Sequence, residues 1–123
     1  MIRHVGRGAS QEPGFEVSGE VLLLINNCLN EVLHGFRTPN LEAALGTPVR
    51  QAEDLLNRVN RDASDTGGAV AFQARDLALI VKCIRLTLSE LGPEFSIRTG
   101  FQNEAARSCQ EEIAAAIARN PKD

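Results

Sequence analysis

The sequence predicts a mostly α fold, an α+β arrangement in which helices dominate and two or three very short strands accompany them. One observation is an almost continuous apolar stretch at residues 77–91, LALIVKCIRLTLSEL. Another is a second apolar helical pattern at residues 19–34, and a third is that the two halves of the chain share an order of elements. Together they predict an internally repeated helical domain packed around a central helix pair.

The stretch at 77–91 is apolar around most of a helix. At 100° per residue its main apolar face carries six side chains: Leu77, Ile80, Val81, Ile84, Leu88 and Leu91. Only a narrow strip, with Lys82, Arg85 and Ser89, is polar. We expect such a helix to lie at the centre of the core, with other elements packed on several sides.

The N-terminal part of the chain is expected to differ from the rest. Residues 1–13 lack a hydrophobic period and contain several helix breakers, which predicts a flexible N-terminal tail. Residues 14–123 are enough to bury a core and are expected to form a single domain. Its repeat halves span about 15–62 and 70–119.

Each half is predicted to begin with a short strand and a long helix. Alternation of apolar and polar residues predicts a strand at 15–17, and a second short strand is expected at 70–72, before the central helix. The first strand leads into a helix at 19–34, which Gly35 is expected to end in a left-handed conformation. The second strand leads into the long apolar stretch, which Gly92 ends.

Each half is predicted to close with further elements. In the first half these are a helical turn at 41–45 and a helix at 48–59, followed by a turn-rich connector at 61–68. In the second half, alternation in EFSIRTG, residues 94–100, predicts a third short strand. Asn103 is then expected to cap the last helix.

The predicted repeat depends on residues of the same type at constant spacing. Two pairs are 57 residues apart: Phe15 with Phe72, and Gly35 with Gly92. Three pairs are 54 residues apart: Gly46 with Gly100, Ala52 with Ala106, and Val59 with Ile113. Each half exposes an apolar helical face that it cannot cover alone, so we expect the long helices to pack on each other. A chance likeness of helical patterns is the alternative.

Composition argues against several classes of function. The chain has a net charge of −3 and five Phe, but neither Trp nor Tyr, so stacking surfaces for sugars or single-stranded nucleic acids are missing. Cys28, Cys83 and Cys109 fall on apolar stripes and are expected to be buried free thiols in a reducing compartment. Neither a signal peptide nor an apolar run of about 20 residues occurs, so we expect a cytoplasmic protein without a membrane partner.

A polar helical face is the first candidate site. It carries five side chains: Asn26, Asn27, Asn30, Glu31 and His34. Asparagine disfavours helix interiors, because its amide competes for backbone hydrogen bonds, so three asparagines on one face favour a hydrogen-bonding role. We expect contact with a partner protein or with the other half of the chain. A solvated face, or one that caps nearby loops, is the alternative.

Residues 94–100 are the second candidate site. Phe95 offers an aromatic anchor and Arg98 an exposed cation, and both residue types are favoured at protein interfaces. The strand-like alternation also suits Phe95 and Ile97 to the core, and this alternative stays open. Arg98 is the exposed residue of the segment to test first.

Residues 41–59, LEAALGTPVRQAEDLLNRV, resemble the helix–turn–helix of bacterial transcription regulators, with Gly46 at the turn. This resemblance implies a DNA-binding regulator in which the second helix recognises the duplex. That helix carries Glu53 and Asp54 beside Arg50, and carboxylates repel phosphates. Nucleic acid is therefore not the expected partner.

No pattern of catalytic or metal-ligating residues stands out in the sequence. His4 and His34 have no zinc-site spacing to a cysteine or carboxylate pair, and neither a phosphate-binding loop nor an activated nucleophile occurs. We expect no enzyme, no metal and no cofactor. A small enzyme of unknown chemistry is the alternative, and it would need Glu31, His34 and Arg98 to converge in one pocket.

The segment NNCLNEVLHG, residues 26–35, is similar to an N-x-x-L-N-E-V-x-x-G segment of short, uncharacterised bacterial proteins. This resemblance implies neither an activity nor site residues. The function expected from the sequence is a small cytoplasmic protein–protein interaction module that binds and masks a partner, as an immunity protein, antitoxin or regulatory adaptor does. The partner is expected to be another protein or, in a homodimer, a second copy of the chain.

Overall fold

The structure is a computed structural model that describes residues 2–7, 13–35, 38–65 and 69–119. Helices dominate and the strands are short, which confirms the predicted mostly α fold. The elements in chain order are β1 (Ile2–Arg7), β2 (Pro13–Ser18), α1 (Gly19–Asn30), a π-helical turn (Glu31–Gly35), α2 (Leu41–Leu45), α3 (Val49–Asp65), β3 (Ala69–Gln73), α4 (Ala74–Leu91), a 3₁₀ turn (Gly92–Glu94), α5 (Phe95–Thr99) and α6 (Asn103–Arg119).

The three strands form one antiparallel sheet in the order β1-β2-β3. In the β2–β3 pair, Phe15 lies opposite Phe72 and Val17 lies opposite Val70. All four side chains are buried, because alternate residues of a strand share one face of the sheet. The strands predicted at 15–17 and 70–72 are therefore confirmed.

β1 corrects the prediction of a flexible tail at residues 1–13. It pairs with β2 from its first residue to its last, but the register shifts between His4 and Gly6. Such an irregularity interrupts the two-residue period, so alternation in the sequence does not reveal this strand. Residues 8–12 of the predicted tail lie outside the described residues.

α4 lies at the centre of the molecule, as its apolar pattern predicts. It packs against α1, α2, α5, α6 and two of the strands. Its polar strip, with Lys82, Arg85 and Ser89, is exposed, and Val81 and Leu88 are partly buried where they line a groove beside α6. Six of its side chains are buried: Leu77, Ile80, Cys83, Ile84, Thr87 and Leu91.

The two halves repeat one order of elements: strand, long helix, short helix, helix. α2 and α5 each have five residues and end at a left-handed glycine, Gly46 (φ 74°) and Gly100 (φ 82°). α3 and α6 each have 17 residues. Both pairs of helices begin 54 residues apart, as predicted for this part of the repeat.

The first part of each half repeats at 55 residues and not at the predicted 57. α1 and α4 begin 55 residues apart, and their buried faces coincide at this spacing, as Cys28 and Cys83 show. Matching by residue type pairs Phe15 with Phe72, but these two residues face each other across the sheet and are not equivalent positions. The spacing falls from 55 to 54 across the interval that contains the π turn, where the first half has one extra residue.

A pseudo-two-fold axis relates the halves. It passes between Glu16 and Ala71, which are 55 residues apart and lie opposite each other in the sheet. The helix contacts obey this symmetry. α1 and α4 pack on each other. α2 packs on α4 in the same way that α5 packs on α1, and α3 packs on α1 in the same way that α6 packs on α4. The expected packing of the two long helices on each other is therefore confirmed.

α5 is a helix where alternation predicts a strand at 94–100. Its buried residues are Phe95 and Thr99, four positions apart, as one face of a helix requires. Ile97 lies on the opposite side and is 81% exposed, although the strand pattern places it in the core. The predicted third strand is thus wrong at this position.

Two boundaries also differ from the prediction. α3 continues to Asp65 and replaces the first part of the connector predicted at 61–68, whose residues 66–68 lie outside the described part. α1 ends in a π turn, and Gly35 is not left-handed there. A Cβ at Gly35 would meet the ends of the Glu31 and Arg98 side chains, which would have to shift to make room for it.

Candidate functional site

Six of the seven predicted binding residues lie where α1 and the π turn meet α5. We name this region the α1–α5 junction and define it as residues 23–35 and 97–99. It joins the first half of the chain to the second. Five of these residues make side-chain contacts in two groups: Asn26, Asn27 and Asn30 form one group, and Glu31 and Arg98 form the other.

Asn27 fixes the end of α5 against α1. Its amide Nδ2 donates a hydrogen bond of 2.9 Å to the carbonyl oxygen of Thr99. This carbonyl is among the last four of α5, which have no partner inside the helix. The Thr99 hydroxyl donates in turn to the carbonyl of Phe95 over 2.7 Å. The asparagine therefore contacts the other half of the chain, one of the two roles expected for this face.

The equivalent junction of the other half has the same hydrogen bond from a different side chain. Lys82 lies 55 residues after Asn27, and its Nζ donates over 3.3 Å to the carbonyl oxygen of Leu45, the last residue of α2. Leu45 lies 54 residues before Thr99, so the two hydrogen bonds are pseudo-symmetric. We infer that a donor at this position belongs to the architecture of the repeat.

Asn26 and Asn30 continue the polar face along α1. Asn30 Nδ2 donates to the carbonyl of Asn26 over 3.2 Å, and Asn26 Nδ2 lies 3.4 Å from Asn27 Oδ1. Asn26 Oδ1 is buried and has no hydrogen-bond partner among the described residues. An unpaired buried amide oxygen costs stability.

Arg98 ties α5 to the π turn. Its Nη2 lies 2.8 Å from Glu31 Oε1 and donates to the carbonyl oxygen of Gly35 over 3.0 Å. The Arg98 side chain is about one third exposed, so solvent screens the ion pair, and its main effect is to fix the geometry. His34 belongs to the same turn and is exposed. Glu31 and Arg98 are thus neighbours that neutralise each other.

Phe95 is not a surface residue, and its predicted role as a partner contact is wrong. Its side chain is fully buried, because the helical form of α5 turns it inward. Two large hydrophobic residues are exposed that the sequence does not predict at the surface, Leu23 on α1 (53% exposed) and Ile97 on α5. A helical period at 94–100, with positions 95 and 99 inward, would have predicted Ile97 at the surface.

The three cysteines are buried free thiols, as predicted. Burial raises the pKa of Cys28 and of Cys83 to about 12, and that of Cys109 to about 11. Thiols with such pKa values stay protonated near neutral pH and are poor nucleophiles. In this protein they serve as small core side chains.

The helix–turn–helix resemblance falls on α2, Gly46 and α3. Arg50, Glu53 and Asp54 are all exposed on α3, so both signs of charge face solvent there. α5, Gly100 and α6 repeat the same arrangement in the second half. The helix–turn–helix pattern is thus part of the repeat of the fold.

Within the described ranges, no group of three or more His, Cys, Asp or Glu side chains is placed to hold a metal ion. Among the helices of that part of the chain, none combines the length and the apolar character needed to cross a bilayer. No protein-family model matches the chain, and neither a curated protein nor a solved structure matches it.

Proposed function

We propose that this chain is a protein–protein interaction module that binds its partner through the α1–α5 junction. Two exposed hydrophobic side chains carry the proposal. Leu23 and Ile97 are the large apolar side chains exposed in the described part of the chain, and they lie on the two helices that Asn27 joins. An apolar centre with hydrogen-bonding groups around it is typical of protein interfaces.

The equivalent junction between α4 and α2 supports the proposal. At the 55- and 54-residue spacings, Leu23 corresponds to Ala78 and Ile97 corresponds to Ala43. Both alanines are exposed, and the pseudo-symmetric hydrogen bond forms beside them. Because this junction packs with small side chains, the larger ones at Leu23 and Ile97 are not needed to build the fold.

The chemistry of the junction indicates the kind of partner. Asn30 and His34 are exposed within the junction, whereas Glu31 and Arg98 compensate each other. We therefore expect a protein that offers a small apolar patch surrounded by hydrogen-bonding groups. Association should depend only weakly on ionic strength, in contrast to the steep salt dependence of DNA binding.

The role we propose is to occupy and mask a partner in the cytoplasm, as an immunity protein, antitoxin or regulatory adaptor does. The contacts of Asn27 and Arg98 fix α5 before a partner arrives, and a preformed surface loses less conformational entropy on binding. The three free thiols support a reducing compartment. The partner is a different protein or, in a homodimer, a second copy of the chain.

A pair of matched double variants tests the proposal. The test variant combines Leu23→Asp with Ile97→Asp, which places charges at both exposed apolar positions. The control combines Ala78→Asp with Ala43→Asp, which adds the same charges at the equivalent exposed positions of the other half. Affinity capture from cells identifies the partner, and calorimetry with the purified partner measures its affinity for each form.

We expect the wild type and the control to capture the same protein, and the affinity to fall at least about 30-fold in the test variant. The wild-type affinity should change less than about threefold between about 0.05 and 0.5 M NaCl. Equal affinity of all three forms, or a steep salt dependence, would overturn the proposal. If sedimentation equilibrium shows a dimer of the wild type and a monomer of the test variant, the partner is a second copy.

A further inference from the structure

Two clefts occupy equivalent places in the two halves. The first, the α3–α4 cleft, lies between α3 and the first turns of α4, and the second, the α6–α1 cleft, lies between α6 and the first turns of α1. Their apolar residues correspond at the repeat spacings: Leu55 and Leu79 in the first match Cys109 and Leu24 in the second. The pseudo-two-fold axis therefore relates one cleft to the other.

The charges of the two clefts are opposite. Arg58 and Arg75 line the α3–α4 cleft, and Glu112 and Glu20 line the α6–α1 cleft at the corresponding positions. Arg61, a third arginine of the first cleft, corresponds to an alanine on α6. The same helix junction packs in the other half without Arg61 or Arg75, so the packing of the fold does not require these two arginines.

Arg75 lies in the first turn of α4, where a positive charge is unfavourable for the helix. It is the second residue of α4, it is exposed, and it forms no ion pair with the described residues. The N-terminal end of a helix carries a partial positive charge, which favours a carboxylate such as the equivalent Glu20 and repels a guanidinium. An arginine here opposes stability, which indicates that it serves another purpose.

Arg58 is held in place in the wall of the cleft. Its Nη2 lies 2.7 Å from Asp76 Oδ2, an oxygen that also accepts the backbone N–H of Gln73 over 2.9 Å. Its guanidinium carbon lies 5.5 Å from the centre of the Phe72 ring. Its Nε is buried and has no acceptor among the described residues. This arginine neutralises Asp76 and keeps one donor unused.

We propose that the α3–α4 cleft binds a small ligand through an oxyanion, a phosphate or a carboxylate, held by Arg75 with Arg58. A guanidinium presents paired N–H donors that match both groups. With Asp76 neutralised, Asp54 is the remaining carboxylate in the lining. The cleft has a volume of about 700 Å³, a size typical of small-molecule sites, against about 230 Å³ for the α6–α1 cleft. This site is separate from the α1–α5 junction and goes beyond the proposed function.

Titration of the full-length chain with two anions tests the inference. Sodium phosphate and sodium succinate are added at an ionic strength held constant with NaCl, and Tm and the heat of binding are measured. A ligand that binds the folded chain raises Tm by mass action, so we expect a saturable rise with at least one anion. A response to phosphate alone assigns a phosphate ligand, and a response to succinate alone assigns a carboxylate. No response to either anion overturns the inference.

Arg75→Ala separates binding from folding. We expect the affinity for the anion to fall at least about tenfold, because charge-assisted hydrogen bonds are lost. Tm without anion should stay equal or rise, because an unfavourable cation leaves the helix N-terminus. Arg107→Ala removes an exposed arginine of α6 outside the cleft and should keep the wild-type affinity. Equal affinity of the wild type and Arg75→Ala, or an equal loss in Arg107→Ala, overturns the inference.

Discussion

Thr87 shows how one side chain joins the two central helices. Its hydroxyl is fully buried and lies 2.7 Å from the carbonyl oxygen of Cys83 on α4 and 3.4 Å from that of Cys28 on α1. A buried hydroxyl is tolerated when it is hydrogen bonded, so a polar residue fits between two apolar helices. The equivalent residue of the first half is the apolar Val32, which is also buried. Hydropathy alone therefore does not indicate that the polar Thr87 is buried at this contact.

Ile84→Ala tests the packing of α4. Its side chain is fully buried, so we expect the free energy of unfolding to fall by about 2–5 kcal/mol through lost burial and a new cavity. Ser89→Ala, at an exposed position of the same helix, should change it by no more than about 0.5 kcal/mol. Denaturant unfolding measures both values. Similar small effects of the two variants would place Ile84 outside the core.

Alkaline pH should destabilise the fold through its thiols. Their pKa values rise from 9.0 to about 12 for Cys28 and Cys83, and to about 11 for Cys109. The unfolded chain loses these protons first, so their contribution to stability is complete below pH 9 and is lost progressively from there to about pH 12. The sequence has no Tyr, so no phenol titrates in this window.

Denaturant unfolding at a series of pH values from about 8 to 11 measures this loss. Cys83→Ala is the informative variant, because it removes one buried thiol and should make the fall of stability with pH less steep. The slope is compared and not the absolute stability, since the alanine also leaves a cavity. A slope equal to that of the wild type would show that burial of Cys83 does not govern the pH dependence.

At the scale of elements, a helix end marked by a glycine was predictable from the sequence, and contacts between elements were not. The end of α2 at Gly46 was predictable, because a left-handed glycine ends a helix. α5 ends in the same way at Gly100, but the helix itself was not predicted. A five-residue segment is too short to separate a two-residue from a helical period, and the buried face of α5 includes the polar Thr99, so a helix was predicted as a strand. The partners of Asn27 and Arg98 could not be predicted, because they depend on how α5 lies against α1.

Gly100→Ala tests the role of the short-helix stop. The backbone φ of 82° strains any L side chain, while an added Cβ would meet no atom within 4 Å. We therefore expect the free energy of unfolding to fall by about 1–2 kcal/mol from backbone strain alone. Ala105→Gly, at an exposed position of α6, gives the cost of a glycine in a helix for comparison. Unchanged stability of Gly100→Ala would show that this turn does not require a left-handed residue.

At the scale of the whole molecule, two similar halves share one core and differ in their surfaces. The buried residues of both halves form a single cluster around the α1–α4 pair. The halves differ at equivalent surface positions. At the junctions the first half has Leu23 where the second has Ala78, and in the clefts the first half has Glu20 where the second has Arg75. The repeat was predictable from the order of elements, but these comparisons needed the 55-residue register, which matching by residue type does not provide.

Hydrogen–deuterium exchange of the backbone amides tests most directly whether the two halves form one cooperative core. We predict that buried amides of α1 and α4 exchange last and with the same free energy of opening, equal to that of global unfolding. This follows because each of these helices covers the apolar face of the other. Exchange of one half at a clearly lower free energy than the other, or exchange of α4 as fast as the short helix α2, would contradict a shared core centred on α4.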